Sequence, residues 1–171
     1  KSRSSNLGAT LDLLKKYNTD LLCLSGGRKG LCGISELKVS INDTRQILDN
    51  ISGIFADRFY VEIDRTNRIN EIEYNNISLA LAKELRLPIV ASNDVLFIND
   101  ADYEANEVKV SIIQKTKLED RANQNEYSAN QYFKSQDEMK SLFKDQTSAL
   151  TNISNIVERC NFKFPKFKYH L

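Results

Sequence analysis

Apolar positions along this chain recur with two different spacings, and the switches between them mark its elements. After the polar Ser4-Ser5-Asn6, Leu7, Leu11 and Leu14 fall at helical spacing. The run Asp20-Leu21-Leu22-Cys23-Leu24 predicts a short buried strand that stops at the turn signal Ser25-Gly26-Gly27. A short helix is expected around 31–39. Asn42-Asp43-Thr44 offers N-cap chemistry, and Ile47, Leu48, Ile51, Ile54 and Phe55 form the apolar stripe of the next helix. Residues 58–63, RFYVEI, are rich in strand formers. Ile69, Ile72, Ile77, Ala80, Leu81 and Leu85 predict another amphipathic helix. Pro88 then opens a third strand, where its missing N–H is tolerated.

Strand, helix, strand, helix, strand is the order of parallel strands joined by crossover helices, so the predicted fold class is α/β. Beyond Asn99 the pattern is helical throughout. Ser135-Gln136-Asp137-Glu138 reads as a capping box ahead of Met139, Leu142 and Phe143. Ala149, Ile153, Ile156, Val157 and Cys160 line one face of a last long helix. The stretch 161–171, NFKFPKFKYHL, alternates aromatics with lysines and predicts an extended tail. The chain thus divides into β/α units over 1–98 and a helical C-terminal extension over 99–171.

Composition narrows the function. Apolar residues make up 41% and charged residues 27%, as in an ordinary water-facing domain. Lys plus Arg number 24 against 23 Asp plus Glu, so no overall basic excess announces nucleic acid. No run approaches a membrane span, and a cytoplasmic location is expected. The three cysteines, Cys23, Cys32 and Cys160, follow no CxxC spacing and read as reduced thiols. His170 is the single histidine, which leaves a Ser/His/Asp triad and a Cys/His pair unsupported. A zinc site built from this chain alone would need carboxylates, and no cofactor is expected in it. The polar start KSRSSN reads as a cut end, so a piece of something longer is expected.

In parallel α/β folds functional groups gather at the carboxyl ends of strands. Three such ends are legible: Ser25-Gly26-Gly27-Arg28, Glu62-Ile63-Asp64-Arg65-Thr66, and Ser92-Asn93-Asp94. Gly26-Gly27 reads as a tight turn sooner than as a phosphate cradle, since the rest of a P-loop is missing. Glu62 and Asp64 alternate with Val61 and Ile63, so both carboxylates can share one side of a strand. They could bind metal or do acid–base work, although a salt bridge to Arg58 or Arg65 is the commoner explanation. Asn93-Asp94 offers a metal ligand or an Asx turn. Phe162, Phe164, Phe167 and Tyr169, interleaved with Lys163, Lys166 and Lys168, could stack bases and touch phosphates, or form an edge strand with one solvated face.

The order of these pieces resembles the PHP domain of the bacterial DNA polymerase III alpha subunit family. The resemblance is carried by Leu24-Ser25-Gly26-Gly27, Phe59-Tyr60-Val61-Glu62-Ile63, and the run Leu87-Pro88-Ile89-Val90-Ala91-Ser92-Asn93-Asp94-Val95. It continues through 102–108 and 112–114, through Tyr132-Phe133-Lys134-Ser135 with Glu138-Met139, and through 155–161. It implies the later part of a distorted β/α barrel with parallel strands, whose active members hold a metal cluster at the strand ends and resemble phosphoesterases. Position by position, metal-binding relatives have Cys where this chain has Gly27, His where it has Thr66, and Asn-Asp-x-His where it keeps Asp94 but has Leu96. Asn106 also stands where a His is common. Neither Gly27 nor Leu96 offers a donor, so the resemblance implies a degenerate pocket, with Glu62, Asp64 and Asn93 as nearby polar candidates.

The same resemblance implies a segment of a replicative DNA-directed DNA polymerase, a nucleotidyltransferase. Its polymerising carboxylates lie in another domain, and no catalytic residue is expected here. Implied partners are the rest of the alpha subunit, the proofreading exonuclease subunit, and DNA through the parent protein. A barrel cut partway would also leave a strand edge through which isolated copies could pair. The alternative is a metal-dependent phosphoesterase or proofreading PHP domain. A weaker one is direct DNA contact through the tail lysines.

Overall fold

The computed structural model describes residues 9–33, 40–118 and 127–163. Three parallel strands, β1 (Cys23–Leu24), β2 (Phe59–Asp64) and β3 (Ile89–Ser92), lie side by side in that order, with β2 central. Cys23 pairs with Phe59 and Val61 with Ile89. Around them run six helices of more than one turn: α1 (Leu11–Tyr17), α2 (Ile41–Phe55), α3 (Glu71–Glu84), α4 (Tyr103–Gln114), α5 (Gln136–Leu142) and α6 (Thr147–Arg159). The strand–helix alternation expected of the middle of the chain is therefore present. Among the described residues no helix is long and apolar enough to cross a membrane.

Strand β1 is shorter than the 20–24 run predicts. Asp20 takes a left-handed φ of 61°. The Leu21 carbonyl accepts from Arg58 Nη1 at 3.0 Å, so it is unavailable to the ladder. The helix expected over 31–39 falls largely on residues outside those described, as does the tail with Lys166 and Lys168. Helix α2 starts earlier than Asn42-Asp43-Thr44 suggests. Its cap is Ser40, whose Oγ accepts from the Asp43 N–H at 3.1 Å, which puts Asp43 and Thr44 inside the first turn.

The main core is one cluster. Leu48, Ile51 and Phe55 of α2 meet Phe59 and Val61 of β2 and Tyr74, Leu81 and Ala82 of α3, with Cys32 beside them. The packing face of α3 is Tyr74, Ser78, Leu81 and Ala82, at spacings of four, three and one. Ile72 lies two residues, about 200° around the helix, from Tyr74 and is 79% exposed, and Ile69 precedes the helix. The expected apolar stripe includes both, and neither lies on the packed face.

A second cluster joins Ile63 of β2 and Ala91 of β3 to Phe143 and Ala149. This is where α6 sits on β3, with Asn152 Nδ2 donating to the Ile89 carbonyl at 2.8 Å. The buried side of α6 is Ala149 with Leu150 and Ile153, while Val157 and Cys160 of the expected stripe are exposed. The capping box is present, with Ser135 and Glu138 bonding each other's backbone N–H groups at the start of α5. The region past Asn99 is not wholly helical. Tyr132 forms a parallel bridge with Phe97, and the Phe133 N–H donates to the Phe97 carbonyl at 3.0 Å.

Candidate functional site

The three strand ends converge on one cavity of about 200 Å³, lined by Gly26 to Lys29, Glu62, Asp64, Ser92 and Asp94. The turn after β1 is set by two glycines with left-handed φ, 88° at Gly26 and 59° at Gly27. Gly26 donates its N–H to Glu62 Oε2 at 2.6 Å, and the Glu62 N–H donates to Ser25 Oγ at 2.9 Å. The turn is thereby tied to the end of β2. A Cβ placed on Gly27 would sit 2.9 Å from Asp64 Oδ2, so the bare face of Gly27 looks straight at that carboxylate.

Asp64 is held in place by its backbone. Asn75 of α3 donates from Nδ2 to the Asp64 carbonyl at 2.6 Å and accepts the Asp64 N–H at 3.2 Å, as a neighbouring strand would. The Asp64 side chain is 2% exposed. Burial pushes its carboxyl up to about 6, an effect the Arg68 charge opposes and the nearby Glu62, Asp94 and Glu71 charges reinforce.

Between Asp64 and Asp94 lies the guanidinium of Arg68. Its Nη1 donates to Asp94 Oδ2 at 2.5 Å, its Nη2 is 3.5 Å from Asp64 Oδ2, and its Nε donates to Thr66 Oγ1 at 2.8 Å. Thr66 donates its own hydroxyl to Glu71 Oε2 at 2.6 Å, and Glu71 also accepts the Thr66 and Asn67 N–H groups. Asp94 has a φ of 41°, unusual for a residue other than glycine. Gln131 Nε2 holds it by donating to its carbonyl at 3.1 Å and to Oδ2 at 3.2 Å.

The structure thus brings Gly27, Glu62, Asp64 and Asp94 around one cavity. Thr66 is fully buried behind it and reaches it only through Arg68. Asn93 turns away, donating from Nδ2 to the Tyr132 carbonyl at 2.6 Å. Leu96 and Asn106 do not line the cavity; Leu96 is partly exposed and its N–H donates to the Gln131 carbonyl. The salt-bridge partner of the carboxylates is neither Arg58 nor Arg65. Arg58 caps the carbonyls near α1, and Arg65 grips Asp145 with two hydrogen bonds of 2.6 and 2.7 Å. Sequence reasoning missed Arg68, Glu71 and Gln131. The signal for Arg68 was its position four residues after Asp64, which only a tight strand-to-helix turn converts into contact. Among the described residues no three His, Cys, Asp or Glu side chains are grouped as a metal shell.

No family model matches the chain. It is, however, similar along its length to curated proteins. It is 37% identical to DNA polymerase III subunit alpha of Pasteurella multocida over 158 residues, 92% of this chain. It is 38% identical to that of Pseudomonas aeruginosa and 37% identical to that of Escherichia coli K12, each over 160 residues, 94% of this chain. In each case the match spans only 14% of the relative's length. Nearly the whole of this chain is therefore homologous to one segment of DNA polymerase III subunit alpha.

Proposed function

We propose that this chain serves a replicative DNA polymerase as a non-catalytic structural and subunit-docking segment, formed by the later units of a PHP-type barrel and its helical extension. Polymerisation belongs to other parts of the parent chain. The observation that carries the reading is the seat of Arg68, a buried cation already placed between the two carboxylates that a metal would need. Gly27 and Leu96 bring no donor, and Thr66 Oγ1 is committed to Arg68 and Glu71. These residues do not fit the family's metal cluster, and no metal-dependent step is assigned to them.

The proposed partners are the rest of the alpha subunit, the proofreading exonuclease, and DNA through the parent protein. A binding test addresses docking. An excess of this chain is expected to displace the exonuclease from the complete polymerase chain. An undisturbed complex would contradict the docking role. In the same preparation the chain is expected to release no phosphate from nucleotide or aryl phosphate substrates with Mn²⁺. Release would favour the alternative, a phosphoesterase using Glu62, Asp64 and Asp94.

A further inference from the structure

We infer that Arg68 is a resident cation covering a latent divalent-cation site, so that removing its guanidinium would let Mn²⁺ bind between Asp64 and Asp94. The inference deepens the reading of the pocket above and rests on it for the two carboxylates, but not on docking to any partner.

The charges come first. Glu62, Asp64 and Asp94 line one cavity, and the Asp64 and Arg68 side chains are each 2% exposed. Two carboxylates this close repel unless a positive charge lies between them. The guanidinium supplies it, with one nitrogen on each carboxylate. The guanidinium is fixed as a ligand is, by Thr66 Oγ1 behind it, which Glu71 holds in turn. Both carboxylates therefore lie within the span of one small planar cation. A Mg²⁺-like ion needs no more, since it uses one or two carboxylates and keeps several waters.

A second observation is independent of the acidic cluster. Asp64 Oδ1 is buried and has no hydrogen-bond partner among the described residues, although its sister oxygen faces Arg68. Asp64 is also the side chain met by the bare face of Gly27. The coordination capacity at this point exceeds what the arginine uses.

The test compares three forms of the chain with and without millimolar Mn²⁺: wild type, Arg68→Met, and Asp64→Asn/Arg68→Met. Thermal melting reads stability, and the electron paramagnetic resonance signal of Mn²⁺ reads binding. Arg68→Met is expected to melt about 10 °C below wild type. Mn²⁺ should restore about 4 °C of this and be retained at one ion per chain. The double variant, with one carboxylate neutralised, should recover most of the loss and ignore Mn²⁺. Wild type should ignore Mn²⁺ as well. A folded Arg68→Met that melts with wild type, or that binds no Mn²⁺, would overturn the inference. So would wild type binding Mn²⁺ as tightly as the variant, an outcome that would also overturn the proposed function. If Arg68→Met alone does not fold, the double variant decides: recovery to near the wild-type melting temperature supports the inference, and failure to fold refutes it.

Discussion

Arg68 and Asp94, 26 residues apart, meet at 2.5 Å across the ends of two neighbouring strands. The contact joins a buried cation to a carboxylate that is 46% exposed, so water screens part of it. Asp94→Ala is therefore expected to cost about 1 kcal/mol, well below the loss for a fully buried pair. Urea denaturation of the two forms measures it.

Asp64 sets a pH dependence whose sign is unusual for a carboxylate near an arginine. Its carboxyl stands at about 6 in the fold against an ordinary value of 3.8, because burial outweighs Arg68. The fold thus binds a proton more tightly than the unfolded chain does. That contribution is fully present below pH 3.8 and is lost as pH rises through 6. Stability should fall across this window by up to about 3 kcal/mol, and the slope should vanish in Asp64→Asn. Glu138 and Asp145, both held at about 2, act in the opposite sense. Their contribution is present above the ordinary carboxylate range and is lost as pH falls through 2, so it does not mask the Asp64 window. Denaturation midpoints between about pH 4.5 and about pH 6.5 provide the measurement.

The glycine turn after β1 yields a graded prediction. Gly27→Ala meets a φ of 59° and the movable Asp64 carboxylate at 2.9 Å, for an expected loss of about 1–2 kcal/mol. Gly30→Ala would put its Cβ 1.9 Å from the Ser25 carbonyl oxygen, which is backbone and cannot step aside. It should be the worse of the two, losing more than about 3 kcal/mol. Equal losses in thermal melts would contradict this account of the turn.

Phe143 ties the later helices to the sheet. It is fully buried in the cluster with Ile63, Ala91 and Ala149, and the Arg65 guanidinium lies 4.9 Å from its ring centroid. Phe143→Ala is expected to cost about 3–5 kcal/mol in a single cooperative transition. An early, separate melting step of the helices would show instead that they do not share this core.

The central layout is legible in the sequence because its signals there are redundant. Phe59 to Asp64 carries strand formers, alternation and polar termination together, and the observed strand covers those residues. The three strand ends are legible as the place where polar groups gather, and Gly27, Glu62, Asp64 and Asp94 do line one cavity. What is not legible depends on tertiary geometry. Arg58 and Arg65 are nearer the carboxylates in sequence or alternation, yet strand pairing sends Arg65 to Asp145 and Arg58 to the carbonyls of Asn18 and Leu21. Arg68 reaches the pocket because Asn67 and Asn70, both at φ 60°, fold the loop back on β2. Ile72 shows the same limit from the other side, since an apolar residue at near-helical spacing says nothing about which face the neighbours cover.

The most direct measurement is the metal content of the complete polymerase chain, by mass spectrometry after purification without chelators, with hydrolysis of phosphate esters assayed on the same sample. If Arg68 holds the place of a metal, the content should lie well below one ion per chain and no hydrolysis should appear. Stoichiometric zinc or manganese, with hydrolysis abolished by Asp94→Ala, would contradict the account and make this segment an enzyme in its own right.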